Sequence, residues 1–336
     1  MTFPHSDARG RSLLDMRISV TDRCNFRCRY CMPAEIFGPG YQFLPTRDLL
    51  RFDEIEAIVR AGVALGVRKV RLTGGEPLLR RHLDDLIALL AAIEGLEEIA
   101  LTTNAVLLSH YAERLALAGL SRVTVSLDAI EPEVFSQMNG VGAKVDRVVQ
   151  GIMAAQSNGL PVKVNAVIQK GVNEGQILPL LDFALQAGLE LRYIEFMDVG
   201  ETNGWEKVEV LPSAQVREII ETRYELRPHE RPHAAVAETF EVCQDGQPQG
   251  RLGLISSVSR PFCSDCSRIR VSAKGDLYGC LFASNGQPLL QALRDGITHE
   301  ALIARLAGFW SQRDDRYSEL RGKVQQSKVE MSYIGG

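Results

Sequence analysis

Six of the seven cysteines in this 336-residue chain fall into two groups of three, and grouped thiols point first to metal. Cys24, Cys28 and Cys31 carry the spacing CxxxCxxC near the start. Cys263 and Cys266 form a CxxC near the end, followed by Cys280, while Cys243 stands alone. A structural zinc site wants four protein ligands. Three thiolates instead hold three irons of a [4Fe-4S] cube and leave the fourth iron open to a substrate or cofactor. Two trios therefore suggest two sites. Other readings stay open on spacing alone: a zinc knuckle borrowing Cys243 as fourth ligand, reduced thiols without metal, or, for the second trio, a zinc ribbon lacking one ligand.

A second set of residues concerns charge. Lys69, Arg71 and Thr73 share one face of a predicted strand, Lys163 and Asn165 share another, and Arg17 and Ser19 a third. Arg268 and Arg270, two apart beside the second trio, form a fork suited to phosphate or a nucleobase. On an outer surface these are solvated side chains. Pointing inward they need an anion, because an unpaired buried cation is costly, and a polyphosphate would serve.

These residues are positioned by a rhythm of short β-rich runs and longer helical spacings from residue 15 to 200, the pattern of βα units around a parallel sheet. Six strands are predicted, at Met16–Thr21, Lys69–Thr73, Glu98–Thr103, Arg122–Leu127, Val162–Ile168 and Glu190–Phe196, with helices including Asp53–Leu65 and Glu174–Ala187. Polar residues sit where the first five strands end: Thr21 and Asp22, Thr73 to Glu76, Thr102 to Asn104, Ser126 and Asp128, and Asn165. In an α/β barrel that rim is the active-site face. Six units fall short of a closed eightfold barrel. The rhythm breaks after Gly200, and short strands with Gly-rich turns follow, which marks a second domain.

Composition agrees with a globular chain: 45% hydrophobic, 24% charged, net charge -4. These values exclude a disordered tail protein and a collagen. The longest uncharged apolar run, Leu86 to Ile93, is far below the roughly 20 residues of a membrane span. A signal-peptide core is lacking over residues 1–16, so a cytoplasmic chain is expected, with no nucleic-acid partner and no membrane.

CxxxCxxC after the first unit, with Gly-Gly-Glu-Pro at 74–77 after the second, resembles the radical S-adenosylmethionine superfamily. The runs LLDMRISVTDRCNFRCRYCMP, VRLTGGEPLLR and FCSDCSRIRVSAKGDLYGCLF, with the terminal Met331-Ser-Tyr-Ile-Gly335-Gly336, are similar to the GTP 3′,8-cyclases of molybdenum cofactor biosynthesis. The resemblance covers nearly the whole chain. It implies an incomplete (βα)6 TIM-type barrel over residues 1–225 and a C-terminal iron–sulfur domain over 226–336, ending in the Gly-Gly tail. It further implies two [4Fe-4S] clusters, S-adenosyl-L-methionine as cofactor and GTP as substrate. The product would be (8S)-3′,8-cyclo-7,8-dihydroguanosine 5′-triphosphate, formed after a 5′-deoxyadenosyl radical takes the C3′ hydrogen.

Residue by residue, the resemblance assigns Cys24, Cys28 and Cys31 to the first cluster and Cys263, Cys266 and Cys280 to the second. Tyr30, Gly75, Ser126 and Met197 match positions contacting S-adenosylmethionine. Arg17, Lys69, Arg71, Thr102, Lys163, Arg192, Arg268 and Arg270 match positions around GTP, so a triphosphate answers the aligned cations. Arg17, Gly335 and Gly336 match catalytic positions. The glycine pair at 74 and 75 is expected to let backbone approach the methionine part of the cofactor. An external electron donor, a downstream pyranopterin synthase that takes the product and a homodimer are also implied. Ser267, where Asn is expected, and Tyr278-Gly279, in place of a more basic approach to the last cysteine, depart from the family pattern. Competing readings are a radical enzyme of the same superfamily acting on a peptide or other small molecule, and a non-catalytic metal-binding module.

Overall fold

The computed structural model describes residues 5–229, 236–323 and 326–336. Six parallel strands form its centre: β1 (Asp15–Ser19), β2 (Lys69–Thr73), β3 (Glu98–Thr103), β4 (Arg122–Ser126), β5 (Val162–Ile168) and β6 (Glu190–Glu195). Between them run α1 (Phe52–Ala64), α2 (Leu83–Ala91), α3 (Leu108–Leu117), α4 (Pro132–Asn139), α5 (Val145–Ser157) and α6 (Ile177–Gln186). The helix ends follow local chemistry. Glu54 and Arg51 form a capping box at the start of α1, while Pro132 opens α4 and Gly140, at φ 67°, closes it.

The C-terminal part does not form a sheet of its own. After α7 (Ser213–Glu221) come β7 (Glu225–His229), β8 (Glu238–Gln244), β9 (Gln247–Ile255), β10 (Arg268–Val271), β11 (Asp276–Tyr278) and β12 (Gln287–Pro288). Strand β9 pairs in parallel with β6, and β10 pairs in parallel with β1. The sheet thus runs β12-β11-β10-β1-β2-β3-β4-β5-β6-β9-β8-β7, with eight adjacent parallel strands at its centre and antiparallel hairpins at both edges. The linear order keeps the barrel open. The predicted bounds of β2, β3 and β5 match those observed, and β1 begins one residue earlier than predicted.

Burial along the strands shows what kind of barrel this is. In β5, Val162, Val164, Ala166 and Ile168 are buried, whereas Lys163, Asn165 and Val167 alternate with them and line a cavity. In β6, Leu191 and Tyr193 are buried, while Glu190, Arg192 and Ile194 line the cavity. Apolar residues face the helices, and largely polar ones replace the apolar layers that usually fill a barrel. The core therefore lies between sheet and helices, where each fully buried Leu or Ile contributes roughly 1.5–3 kcal/mol. Ile55 and Ile58 of α1 and Val148 and Ile152 of α5 are among its members.

Candidate active site

One cavity of about 650 Å³ opens within the sheet and is lined by all six paired-trio cysteines. Cys24, Cys28 and Cys31 lie on the loop after β1, at the C-terminal ends of the strands. Cys263 and Cys266 immediately precede β10 and Cys280 follows β11, so the second trio approaches from the N-terminal end of β10. Cys243 is fully buried on β8 and is not among the lining residues.

The first loop is held by backbone. Gly75 N donates to Thr21 O at 2.8 Å, and Glu76 N donates to Arg23 O at 2.8 Å. A Cβ on Gly74 would collide with Thr21 O and one on Gly75 with Arg23 O. Close packing of one loop on the other thus by itself demands both glycines, which also line the cavity. Glu76 is buried and accepts from Thr103 Oγ1 (2.7 Å), Asn104 N (2.8 Å) and Leu78 N (3.0 Å). Burial still pushes its carboxyl up to about 7. Asn104 Nδ2 in turn donates to Asn25 Oδ1 beside Cys24. Tyr30 donates its hydroxyl to Asp128 Oδ2 at 2.7 Å, and Val167 N donates to Asp128 Oδ1 at 2.8 Å. Burial raises the Asp128 carboxyl to about 6.

The second trio is held by residues near both chain ends. Buried Asp7 accepts from Arg11 Nε (2.7 Å) and Arg313 Nη1 (2.8 Å). The same two guanidiniums also grip the loops: Arg11 Nη1 donates to Cys263 O (2.9 Å), Arg313 Nη1 to Cys266 O (3.0 Å) and Arg313 Nε to Gly279 O (2.8 Å). Each ligand position is therefore tied to one buried network. Sequence reading missed it because Asp7 and Arg313 lie 306 residues apart.

Both trios suit iron–sulfur clusters by their donor chemistry. All seven cysteines are free thiols. Burial pushes Cys24 up to about 12 and raises Cys28 and Cys31, so thiolates form there only beside a strong positive partner such as cluster iron. Cys280 is pushed up to about 11 by burial and Asp315. For Cys266, burial acts upward but Arg268 and Arg313 outweigh it and hold the thiol down to about 6. Among the described residues, no three His, Cys, Asp or Glu side chains converge on a single ion. A cube asks for no such convergence, since each thiolate takes its own iron.

Between the trios the wall is cationic. Arg17, Lys69, Arg71, Lys163, Arg192, Arg268 and Arg270 all line the cavity, as do Thr102, Tyr30, Gly75, Ser126, Met197 and Gly336. Gly335 is not in the lining, but its carbonyl accepts from Arg270 Nη1, and at φ 77° it packs on Thr73. The C-terminal tail, with α11 (Met331–Ile334), therefore enters the cavity. Arg71 Nη1 donates to Thr102 Oγ1 (2.9 Å) and Thr124 Oγ1 (3.0 Å). Burial and neighbouring Arg17 weaken its hold on its proton, down to about 9. Arg17 Nε and Arg71 Nε are buried without a partner. These are the orphaned donors that an anion would satisfy.

Several charged residues of the cavity wall escaped sequence reading. Asp15, Glu98 and Glu190 begin β1, β3 and β6 and line the same cavity. Arg122 begins β4 and joins them. Period-2 alternation placed Arg122 on the face of Thr124 and Ser126, a signal that was available.

Residues 18–184 match the family model for the Radical SAM superfamily, and residues 189–319 match the model for Molybdenum Cofactor Synthesis C. The chain is 50% identical over 339 residues to a GTP 3′,8-cyclase of Xanthomonas axonopodis pv. citri, covering 100% of both chains. A GTP 3′,8-cyclase of Acidothermus cellulolyticus is 46% identical over 365 residues, again with 100% of both covered. Among solved structures, Streptococcus suis SuiB bound to S-adenosylmethionine superimposes with a TM-score of 0.65 at 15% identity. That match covers 94% of this chain and 69% of SuiB, and it speaks for the fold. Two trios on one cavity, two family models in tandem and full-length relatives at these identities lead to one assignment: the chain belongs to the GTP 3′,8-cyclase family of the radical S-adenosylmethionine superfamily.

Proposed function

We propose that this chain converts GTP to 3′,8-cyclo-7,8-dihydro-GTP, the first step of molybdenum cofactor biosynthesis, with GTP lying between the two trios. The observation that carries the reading is that both trios and an array of under-paired cations line one cavity. Cys24, Cys28 and Cys31 would hold the cluster that works with S-adenosylmethionine, and Cys263, Cys266 and Cys280 the second. When bound, the first cluster and S-adenosylmethionine supply a carbon radical able to take hydrogen from the substrate.

The protein's own task is to place C3′ and keep water and oxygen away from the radical. Arg17 and Arg71, whose Nε groups lack partners, would take phosphate oxygens, with Lys69, Lys163 and Arg192 beside them. Arg268 and Arg270 would orient the nucleotide at the second trio. Removal of the C3′ hydrogen leaves a ribose radical, its addition to C8 forms the C3′–C8 bond, and one electron with one proton at N7 completes the product. Tyr30, Gly75, Ser126 and Met197 would seat the cofactor, and Gly335 and Gly336 would close the cavity from the tail. An external donor would supply the electron, and a downstream pyranopterin synthase would take the product. We further place the enzyme in the cytoplasm as a homodimer, with residues 1–225 and 226–336 as its two functional parts.

Because hydrogen is removed and then restored as an electron and a proton, the product is an isomer of GTP. Anaerobic turnover should therefore yield a species of unchanged mass, one for each 5′-deoxyadenosine released. Deoxyadenosine release that does not rise with GTP would overturn the reading.

A further inference from the structure

The cavity cations fall into two electrostatic classes. Arg17 and Arg71 make no ion pair among the described residues. Arg268 and Arg270 likewise make none, whereas Lys69, Arg122, Lys163 and Arg192 sit in two triads of cation, carboxylate and cation. Glu98 lies across from Lys69 in the β2–β3 register and accepts from Lys69 Nζ at 3.1 Å and from Arg122 Nε at 3.0 Å. Glu190 lies across from Lys163 in the β5–β6 register and accepts from Lys163 Nζ at 2.6 Å and from Arg192 Nε at 2.7 Å. Both carboxylates line the cavity rather than the outer surface.

Four cations thus share two carboxylates, so each triad is left with one surplus positive charge. Water reaches every member, since the side chains are 11–33% exposed. Ion pairs of this kind exchange partners at low cost, unlike a fully buried pair. A polyphosphate entering the cavity offers stronger, multiply charged acceptors to the same donors.

We propose that Glu98 and Glu190 are exchangeable counter-ions, specificity-determining residues that hold Lys69, Lys163 and Arg192 until the substrate's phosphates displace them. This rests on the reading that the triphosphate binds these cations. The carboxylates keep the empty cavity folded around its charge and set a threshold: a ligand must carry enough negative charge to outcompete them. Neutral or weakly anionic molecules that fit the cavity leave the triads intact.

The test is calorimetric titration of the anaerobically reconstituted enzyme with GTP, inorganic tripolyphosphate and guanosine. Glu190→Gln and, independently, Glu98→Gln should tighten GTP and tripolyphosphate on the order of tenfold and leave guanosine unchanged. Both variants should also melt earlier than the parent without GTP and recover when it is added. Lys163→Ala should weaken GTP and tripolyphosphate. If Lys163→Ala weakens both ligands while neither Gln variant tightens them, the carboxylates are fixed struts and the inference is overturned. If Lys163→Ala leaves GTP affinity untouched, the phosphate placement itself fails, and the counter-ion role falls with it.

Discussion

Replacing Arg71 with Met separates what that side chain costs the fold from what it does for the substrate. Arg71 is 7% exposed, bonded to two neutral hydroxyls, with Nε unpartnered. Burial and the Arg17 charge bring it down to about 9, a displacement worth roughly 5 kcal/mol against the charged form. A guanidinium does not give up its proton, so the penalty stays with the folded chain, reduced by cavity water to about half. Met keeps the apolar stem and removes the charge, while Thr102 can turn its hydroxyl toward cavity water and Thr124 still accepts from Arg122 Nη1 at 3.2 Å. The loss of two hydrogen bonds and the relief of desolvation nearly offset each other. Unfolding without GTP should therefore shift by about 1 kcal/mol or less, in either direction. GTP loses a charge-assisted contact worth about 1.5–3 kcal/mol, so its affinity should fall roughly 10- to 150-fold. Denaturant unfolding and calorimetry on the anaerobically reconstituted variant measure the two effects. A loss of 3 kcal/mol or more in stability with GTP affinity unchanged would show Arg71 to be structural, and the anion argument would be wrong.

Glu76, raised from 4.5 to about 7 by burial, is ionised in both folded and unfolded chains at pH 8 and costs the fold roughly 3 kcal/mol there. Between pH 7 and 4.5 the folded chain holds the extra proton, so stability should rise as pH falls from 8 to 5. Comparing unfolding of the parent with Glu76→Gln isolates this slope, and a parent that loses stability relative to the variant over that range would contradict it. Gly75→Ala drives a Cβ into Arg23 O and displaces the loop of the first trio. Iron should fall from about eight toward about four per chain, with the second cluster's spectrum retained. Arg313→Met should do the converse by releasing Cys266 O and Gly279 O, and loss of the first cluster instead would refute the assignment. Asp198, which follows Met197, accepts from Tyr317 Oη (2.5 Å), Arg321 Nε (2.8 Å) and Lys328 Nζ (3.0 Å). Asp198→Asn should cost about 3 kcal/mol in unfolding, since two largely buried cations lose their partner, and a change below 0.5 kcal/mol would count against it.

The sequence disclosed chiefly what is local. CxxxCxxC and CxxC are short-range patterns, and alternation along β2 and β5 put Lys69 with Arg71 and Lys163 with Asn165 on shared strand faces, which in the structure line the cavity. Long-range features stayed hidden. The parallel pairing of β10 with β1 joins Asp15 to Arg268 across the whole chain, and no local propensity encodes that register. The Arg11–Asp7–Arg313 network is likewise a product of topology. Glu98 and Glu190 were missed for a different reason: an acidic residue at a strand's first position reads as a solvent-facing start. Only the curvature of the sheet shows that it turns inward.

The central claim is that GTP lies with its ribose facing the first trio. Anaerobic incubation of the reconstituted enzyme with S-adenosylmethionine, a reductant and GTP deuterated at C3′, followed by mass spectrometry of the released 5′-deoxyadenosine, tests it most directly. The account predicts deoxyadenosine carrying one deuterium. Deoxyadenosine without deuterium, from enzyme shown to hold both clusters, would contradict it.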